Sequence, residues 1–144
     1  MKKTIILSAL LATVITVFGQ KTTDAEAIKS MMLQQSKDWN DGNIDAFMQG
    51  YWQSDSLMFV GSRGITYGWQ ATLDNYKKGY PDRATMGTLR FEFLKMDFFN
   101  KKTVCSLLGQ WHLTRPEKGD VGGYFTLMLR KIKGKWLIIS DHTS

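Results

Sequence analysis

Residues 39–60 read Trp39-Asn-Asp-Gly-Asn-Ile-Asp-Ala-Phe-Met-Gln-Gly-Tyr-Trp-Gln-Ser-Asp-Ser-Leu-Met-Phe-Val60, and this stretch decides the fold. It predicts the end of a helix, a Gly-Asn turn, a short amphipathic helix, an Asp-containing turn and then a strand. Bulky aromatic residues lie on both sides of each turn. With the end of the chain, Trp136-Leu-Ile-Ile-Ser-Asp-His-Thr-Ser144, this order predicts a cone-shaped α+β domain closed around an apolar pocket.

Outward from this stretch, the apolar spacing predicts three helices followed by a long β region. The first helix is expected over residues 24–40 with Asp24 as its cap, the second over 44–51 and the third over 69–80. Short strands at 57–60 and 65–67 flank the turn at 61–64. Four longer strands are expected at 88–99, 103–115, 121–132 and 135–142. Their short connections predict antiparallel hairpins, with the helices packed on one face of the sheet.

Residues 1–19 have the pattern of a cleaved secretory signal, which leaves residues 20–144 as a single domain. A basic Met1-Lys-Lys start precedes a mostly apolar run over residues 4–18. This run is short for a membrane span, so we expect export to the periplasm or the exterior and no stable membrane insertion after cleavage. Loss of Lys2 and Lys3 lowers the formal net charge from +6 to +4.

The composition argues against several functional classes. The remaining basic excess clusters at expected hairpin turns, so we expect no nucleic-acid partner. Cys105 is the only cysteine and lies in an apolar run, which excludes an intrachain disulfide and favours a packing role. Two histidines 30 residues apart and scattered carboxylates give no metal-ligand spacing, and no phosphate loop is present. The sequence therefore predicts neither a metal nor a cofactor.

The last strand supplies the main candidates for chemistry. Regular alternation places Trp136, Ile138, Ser140 and His142 on one face and Leu137, Ile139 and Asp141 on the other. A bulge could switch this phase midway, so the face that lines the pocket stays open. His142 could bind a ligand carboxylate or act as an acid or base, with Asp141 assisting, or it could simply close the C-terminus through local hydrogen bonds.

Arginines and aromatic residues supply the candidates for ligand binding. Arg63 in a Gly-flanked turn and Arg115 at a strand end could each hold an anion, or could be ordinary surface residues. The aromatic residues are too many for one small core to hide them all, so some should line a cavity or an interface. The expected ligand contacts are Trp39, Tyr51, Phe59, Arg63, Tyr67, Trp111, Arg115 and His142.

The chain resembles the nuclear-transport-factor-two-like superfamily, in particular its SnoaL-like branch and the branch similar to the association domain of calcium/calmodulin-dependent kinase II. The matching residues are Trp39-x-x-Gly42-Asn-x-x-x-Phe47 with Tyr51 and Asp55, then Gly68-Trp69, and finally Gly134-Lys-Trp136-x-x-x-x-Asp-His142-Thr-Ser144. This resemblance implies a cystatin-like cone with N-terminal helices on a strongly curved, mostly antiparallel mixed sheet. It also implies a pocket at the open end and a homodimer formed through the sheet.

The resemblance includes one departure that bears on chemistry. In the ketosteroid-isomerase relatives, a catalytic aspartate lies five residues after the position that corresponds to Asp55. That position is Val60 here, so an isomerase of that type would lack its base. Family membership alone does not define a reaction.

Three hypotheses for function follow from these observations. The first is a domain whose apolar pocket binds a small, anionic or partly apolar molecule. The second is a SnoaL- or isomerase-type enzyme with His142 as general acid/base, which requires His142 to face the cavity. The third is a homodimeric assembly module that uses Gly109, Trp111 and Tyr124 on a flat sheet face.

Overall fold

A computed structural model describes residues 22–144. The predicted signal segment, residues 1–19, lies outside the described residues. The described part begins with helices and continues into a long antiparallel meander, which is the predicted α+β order. Within it, no helix is both long and apolar enough to cross a membrane.

Helix α1, Asp24–Asn40, lies along the sheet and contributes the buried residues Ile28, Met32, Gln35 and Trp39. Its predicted length is confirmed, but the predicted cap is wrong. Thr23 caps the helix, because its hydroxyl accepts from the Glu26 amide while the Glu26 carboxylate accepts from the Thr23 amide, a capping box. Asp24 instead accepts hydrogen bonds from Lys131 and from the indole of Trp136, which attach the helix start to the sheet.

The second predicted helix is shorter than expected. Helix α2 covers Ile44–Phe47, and a 3-10 turn, Met48–Gly50, replaces its second half. Gly42 has φ +79° and turns the chain between α1 and α2, as its position predicted. Helix α3, Trp69–Gly79, is followed by a one-turn helix α4, Arg83–Met86, which the sequence did not predict.

Within residues 22–144, six strands form one mixed sheet. Strands β1, Met58–Gly61, and β2, Gly64–Tyr67, form a small hairpin, and β3 to β6 are Thr88–Phe99, Val104–Thr114, Val121–Ile132 and Lys135–Thr143. Their order is β2-β1-β6-β5-β4-β3, with β1 parallel to β6 and the other pairs antiparallel. The two edge strands, β2 and β3, do not pair, so the sheet is an open cone and not a closed one.

Two bulges interrupt the sheet. One lies between Phe93 and Lys95 in β3, and the other lies opposite the Met128–Leu129 step, within β6. A bulge adds a residue to one strand, bends it and changes which residues face each side. The second bulge determines which residues of the last strand reach the pocket.

Candidate functional site

A cavity of about 640 Å³ lies between the helical layer and the inner face of the sheet. This volume falls in the range of small-molecule sites, which is about 300–1,000 Å³. Aromatic side chains from the helices and the strands form a large apolar part of its wall, among them Trp39, Phe47, Phe59, Tyr76, Phe91 and Trp111.

Edge-to-face contacts hold the aromatic wall in place. The Tyr76 ring on α3 contacts Phe47 at 5.3 Å, Phe59 at 5.7 Å and Trp39 at 6.0 Å between ring centroids. Trp39 also contacts Tyr80 at 4.7 Å and donates from its indole nitrogen to the Met86 carbonyl at 3.0 Å. Such T-shaped pairs add to the energy of burial and fix the ring orientations. The aromatic rings therefore already have fixed orientations before any ligand binds.

A buried carboxylate lies among these aromatic residues. Asp141 in β6 is only 4% exposed, and its Oδ2 accepts a 2.7 Å hydrogen bond from the Tyr51 hydroxyl. The Tyr76 hydroxyl lies 3.4 Å from that of Tyr51. Burial raises the pKa of Asp141 to about 7, although the hydrogen bond from Tyr51 opposes the shift. Burial also raises the pKa values of Tyr51 and Tyr76, so both phenols stay neutral.

The bulge in β6 explains why Asp141 faces the cavity. Met128 pairs with Ser140 but Leu129 pairs with Ile138, so Ile139 is the extra residue. Trp136, Ile138 and Asp141 consequently share the buried inner face. The regular alternation predicted for this strand therefore holds up to Ile138 and is wrong from Ile139 onward.

The same bulge turns His142 to the outer face of the sheet. His142 is exposed, pairs with Thr126 and Val60, and does not line the cavity. The acid/base hypothesis for His142 required an inward side chain, and this condition is not met.

A second buried polar side chain, Gln35, also lines the cavity. It is 2% exposed, and its amide nitrogen donates to the Phe47 carbonyl at 2.9 Å. This bond fixes the direction of the amide. Among residues 22–144, the Gln35 Oε1 and Asp141 Oδ1 atoms are buried and have no hydrogen-bond partner. Buried acceptors are normally paired, so both oxygens are candidates for ligand contact.

Arg63 and Arg115 also line the cavity, and both are more exposed than the buried Gln35 and Asp141, which puts them toward its mouth. Arg63 is exposed in the β1–β2 turn, and its guanidinium lies near Gly79 at the end of α3. Arg115 follows β4 and donates from Nε to the Gly119 carbonyl at 2.8 Å. Burial raises the pKa of the Tyr80 hydroxyl, and the charges of Arg115 and Arg63 partly oppose this shift. Both guanidinium groups therefore lie close enough to Tyr80 to act on the same part of the cavity.

The cavity brings together most of the predicted site residues, namely Trp39, Tyr51, Phe59, Arg63, Trp111, Arg115 and Asp141. Tyr67 is 63% exposed and, like His142, does not line it. The ligand contacts expected from the sequence did not include Gln35, Tyr76 or Tyr80. Tyr76 and Tyr80 are four residues apart, the spacing that places two side chains on one helix face, so a helical projection of residues 69–80 could have found them.

The residues predicted for an assembly surface are divided between the two faces of the sheet. Gly109 is buried and Trp111 lines the cavity, whereas Tyr124 is 55% exposed on the outer face. Residues 22–144 contain no group of three or more His, Cys, Asp or Glu side chains that could hold a metal ion.

An open α+β cone with a pocket between its helices and its sheet is a recurrent class of small domain. The chain is 36% identical to an NTF-2 like protein of unknown function from Shewanella oneidensis MR-1, whose structure it matches with a TM-score of 0.80 over 85% of this chain and 99% of that one. The chain therefore belongs to the NTF2-like family.

More distant solved structures show the same fold. A cystatin-like domain of unknown function from Nostoc punctiforme PCC 73102 matches with a TM-score of 0.70 and 18% identity, over 85% of this chain and 78% of that one. A putative calcium/calmodulin dependent protein kinase II association domain from Xanthomonas campestris matches with a TM-score of 0.64 and 14% identity, over 96% of each chain. No family model matches the sequence, and no curated protein matches it.

Proposed function

We propose that this protein binds a small, partly apolar, anionic molecule in the cavity between its helices and its sheet. The observation that carries the proposal is the pairing of an aromatic cavity of about 640 Å³ with two arginines at its mouth. Apolar walls with a few convergent polar groups are typical of small-molecule sites.

The charge at the mouth supports an anionic ligand. Neither Arg63 nor Arg115 takes part in any of the ion pairs formed within residues 22–144. Arg115 uses its Nε atom to bind Gly119, which leaves its two terminal nitrogens to bind another group. A guanidinium fork matches the two oxygens of a carboxylate, so a ligand carboxylate is the natural partner here.

The test is native mass spectrometry of the purified protein, followed by binding of small aryl carboxylates. We expect a co-purifying acid or saturable carboxylate binding that Arg63→Gln and Arg115→Gln each weaken. Arg90→Gln is the matched control, because Arg90 is an exposed arginine in β3 that does not line the cavity. Equal loss of affinity in all three variants, or no binding of any carboxylate by the wild-type protein, would contradict the proposal.

A second candidate function is acid/base catalysis with Asp141, instead of His142, as the proton-transferring group. A pKa of about 7 lets this carboxyl both accept and release a proton near neutral pH. Its unpartnered Oδ1 supplies the atom for that transfer. Turnover of a bound acid that survives in His142→Ala and is lost in Asp141→Asn would support this candidate. Turnover retained by Asp141→Asn would exclude it.

A homodimer formed through the outer sheet face is compatible with either function. This face exposes the apolar side chains of Leu108 and Tyr124, and exposed apolar groups on a sheet favour association. Light scattering coupled to gel filtration measures the oligomeric state directly. A monomer at micromolar concentration would argue against the dimer.

A further inference from the structure

The two buried acceptors of the cavity indicate what the inner end of a ligand must carry. Asp141 Oδ1 and Gln35 Oε1 have no hydrogen-bond partner among residues 22–144, and both side chains line the cavity. A buried oxygen without a donor is destabilising, and a group that supplies the donor regains this energy. Each of these oxygens can accept a hydrogen bond from an O–H or N–H group of a ligand, but cannot pair with a ligand acceptor.

Local contacts fix the direction of these two oxygens. The Tyr51 hydroxyl donates to Oδ2 of Asp141 at 2.7 Å, which leaves Oδ1 as the unpartnered carboxylate oxygen. The amide nitrogen of Gln35 donates to Phe47, which turns its Oε1 away from that carbonyl. Both side chains are therefore held by contacts within the protein, and their unpartnered oxygens can be satisfied only by a donor from outside the described residues.

An ionised Asp141 disfavours a ligand carboxylate at the inner end. Two carboxylates close together in a poorly hydrated site repel each other, and one must be neutralised. The arginines at the mouth offer the opposite charge, so an anionic ligand is oriented with its carboxylate outward. The aromatic wall between the two ends matches an aromatic or alicyclic body.

We propose that the cavity binds a hydroxylated aromatic or alicyclic carboxylic acid, with its carboxylate at Arg63 and Arg115 and its hydroxyl donating to Asp141. This proposal rests on the proposed function and adds to it the hydroxyl group, its partner and the orientation of the ligand.

The protonation state of Asp141 gives the proposal a pH signature. Its neighbours in the adjoining strands are Phe59 in β1 and Leu127 in β5, and the titratable groups beside it are Tyr51 and Tyr76. Both tyrosines stay neutral, so the carboxyl itself titrates near pH 7. The ionised form accepts the ligand hydroxyl, whereas a proton on Oδ1 competes with it. The hydroxyl contribution to affinity should therefore increase as the pH rises from 6 to 8.

The test uses two pairs of acids that differ only by a hydroxyl: phenylpropionate with para-hydroxyphenylpropionate, and phenylpentanoate with para-hydroxyphenylpentanoate. Titration calorimetry measures each affinity at pH 6 and pH 8 for the full protein, Asp141→Asn and the control Asp74→Asn. Asp74 is exposed on α3 and does not line the cavity. A hydrogen bond to a charged acceptor predicts about a tenfold gain from the hydroxyl at pH 8 in at least one pair. We expect the gain to be smaller at pH 6 than at pH 8 in the wild-type protein and in Asp74→Asn. In Asp141→Asn, whose amide does not titrate, we expect a smaller gain that is the same at both pH values.

The possible outcomes separate this inference from the proposed function. If the unhydroxylated acids bind through the arginines and the hydroxyl adds nothing, the inference fails and the proposed function stands. A hydroxyl gain that keeps its full size and its pH dependence in Asp141→Asn overturns the assigned partner. If no acid binds, both proposals fail. Should Asp141→Asn not fold, the wild-type pH dependence decides, because a gain that does not change between pH 6 and pH 8 contradicts the role of Asp141.

Discussion

The Tyr51 hydroxyl donates a 2.7 Å hydrogen bond to Oδ2 of Asp141, joining residues that lie 90 positions apart in the chain. Tyr51 follows the short helical turn after α2, and its backbone also bridges to Ile138 in β6. The bond thus connects the helical layer to the last strand at a point that both layers bury. Its energy depends on the charge of Asp141, because a charged acceptor forms a stronger hydrogen bond than a neutral one.

Asp141→Asn should change how stability depends on pH. The folded-state pKa of about 7 lies above the ordinary aspartate pKa of 3.8, so the folded protein binds this proton more tightly than the unfolded chain. The resulting stabilisation is complete below about pH 4 and is lost as the pH rises through 7. The shift corresponds to roughly 4 kcal/mol of unfolding free energy. Urea unfolding of the wild-type protein and of Asp141→Asn between pH 4 and pH 8 measures this difference.

Other carboxylates change the unfolding free energy with pH in the direction opposite to Asp141, so the contribution of Asp141 has to be separated from theirs. Hydrogen bonds lower the pKa values of Asp24 and Asp82, and these groups stabilise the fold only where they are ionised. Subtracting the two pH profiles removes these shared contributions. We expect the stability of Asp141→Asn relative to wild type to increase as the pH rises. A constant difference across the range would show that Asp141 has an ordinary pKa.

Tyr51→Phe should weaken the fold more than Tyr76→Phe does. The first change removes the donor to Asp141 and leaves both carboxylate oxygens without a partner, at a cost of about 1–3 kcal/mol. The second removes a hydroxyl that lies 3.4 Å from Tyr51, a longer and weaker contact. Because the Tyr51 hydrogen bond lowers the pKa of Asp141, its loss should also raise that pKa, which carbon-detected NMR titration of the carboxyl can follow. Equal destabilisation by the two substitutions would contradict this account.

The positions of Asp141 and His142 show where the sequence pattern was insufficient. Regular alternation put His142 on the same face as Trp136 and Ile138, and one bulged residue, Ile139, moved Asp141 to that face instead. A bulge has no reliable sequence signal in an apolar run such as residues 136–139, because its position depends on the pairing with the neighbouring strand. The sequence therefore predicted that Asp141 or His142 belongs to the site. Which of the two side chains faces the cavity depended on the pairing of β6 with β5.

Other parts of the fold followed directly from local pattern. Strands β3 and β5 have the predicted bounds, Thr88–Phe99 and Val121–Ile132, because turn residues limit both ends. The Lys133–Gly134 turn has positive φ at both residues, as a two-residue hairpin connection requires. Helix α2 ended early because a 3-10 turn replaces its second half. Gln35 lies on the inner face of α1, as the helical spacing predicted, but its place in the cavity was not predicted, because a polar residue on an apolar helix face gives no sign of its partner.

His142→Ala should leave both stability and ligand binding nearly unchanged. The side chain is exposed on the outer face and does not line the cavity, and such surface substitutions usually change the unfolding free energy by less than about 0.5 kcal/mol. Calorimetry with para-hydroxyphenylpropionate should give the wild-type affinity for His142→Ala and a weakened one for Arg115→Gln. A loss of binding in His142→Ala that matches Arg115→Gln would place the imidazole in the binding site, against the observed facing of β6.

Thr23→Ala should destabilise the protein by about 1 kcal/mol, because the alanine removes the side-chain oxygen that satisfies a free amide at the start of α1. The alanine also removes the hydroxyl that donates to the Glu26 carboxylate at 2.8 Å, whereas the backbone amide of residue 23 can still donate to that carboxylate. Thr22→Ala is the matched control, as Thr22 is an exposed threonine one position before the cap. Chemical unfolding at pH 7 should show a reduced midpoint for Thr23→Ala and no change for Thr22→Ala. If Asp24 were the cap instead, Thr23→Ala would behave like the control and Asp24→Ala would carry the loss of the capping bond.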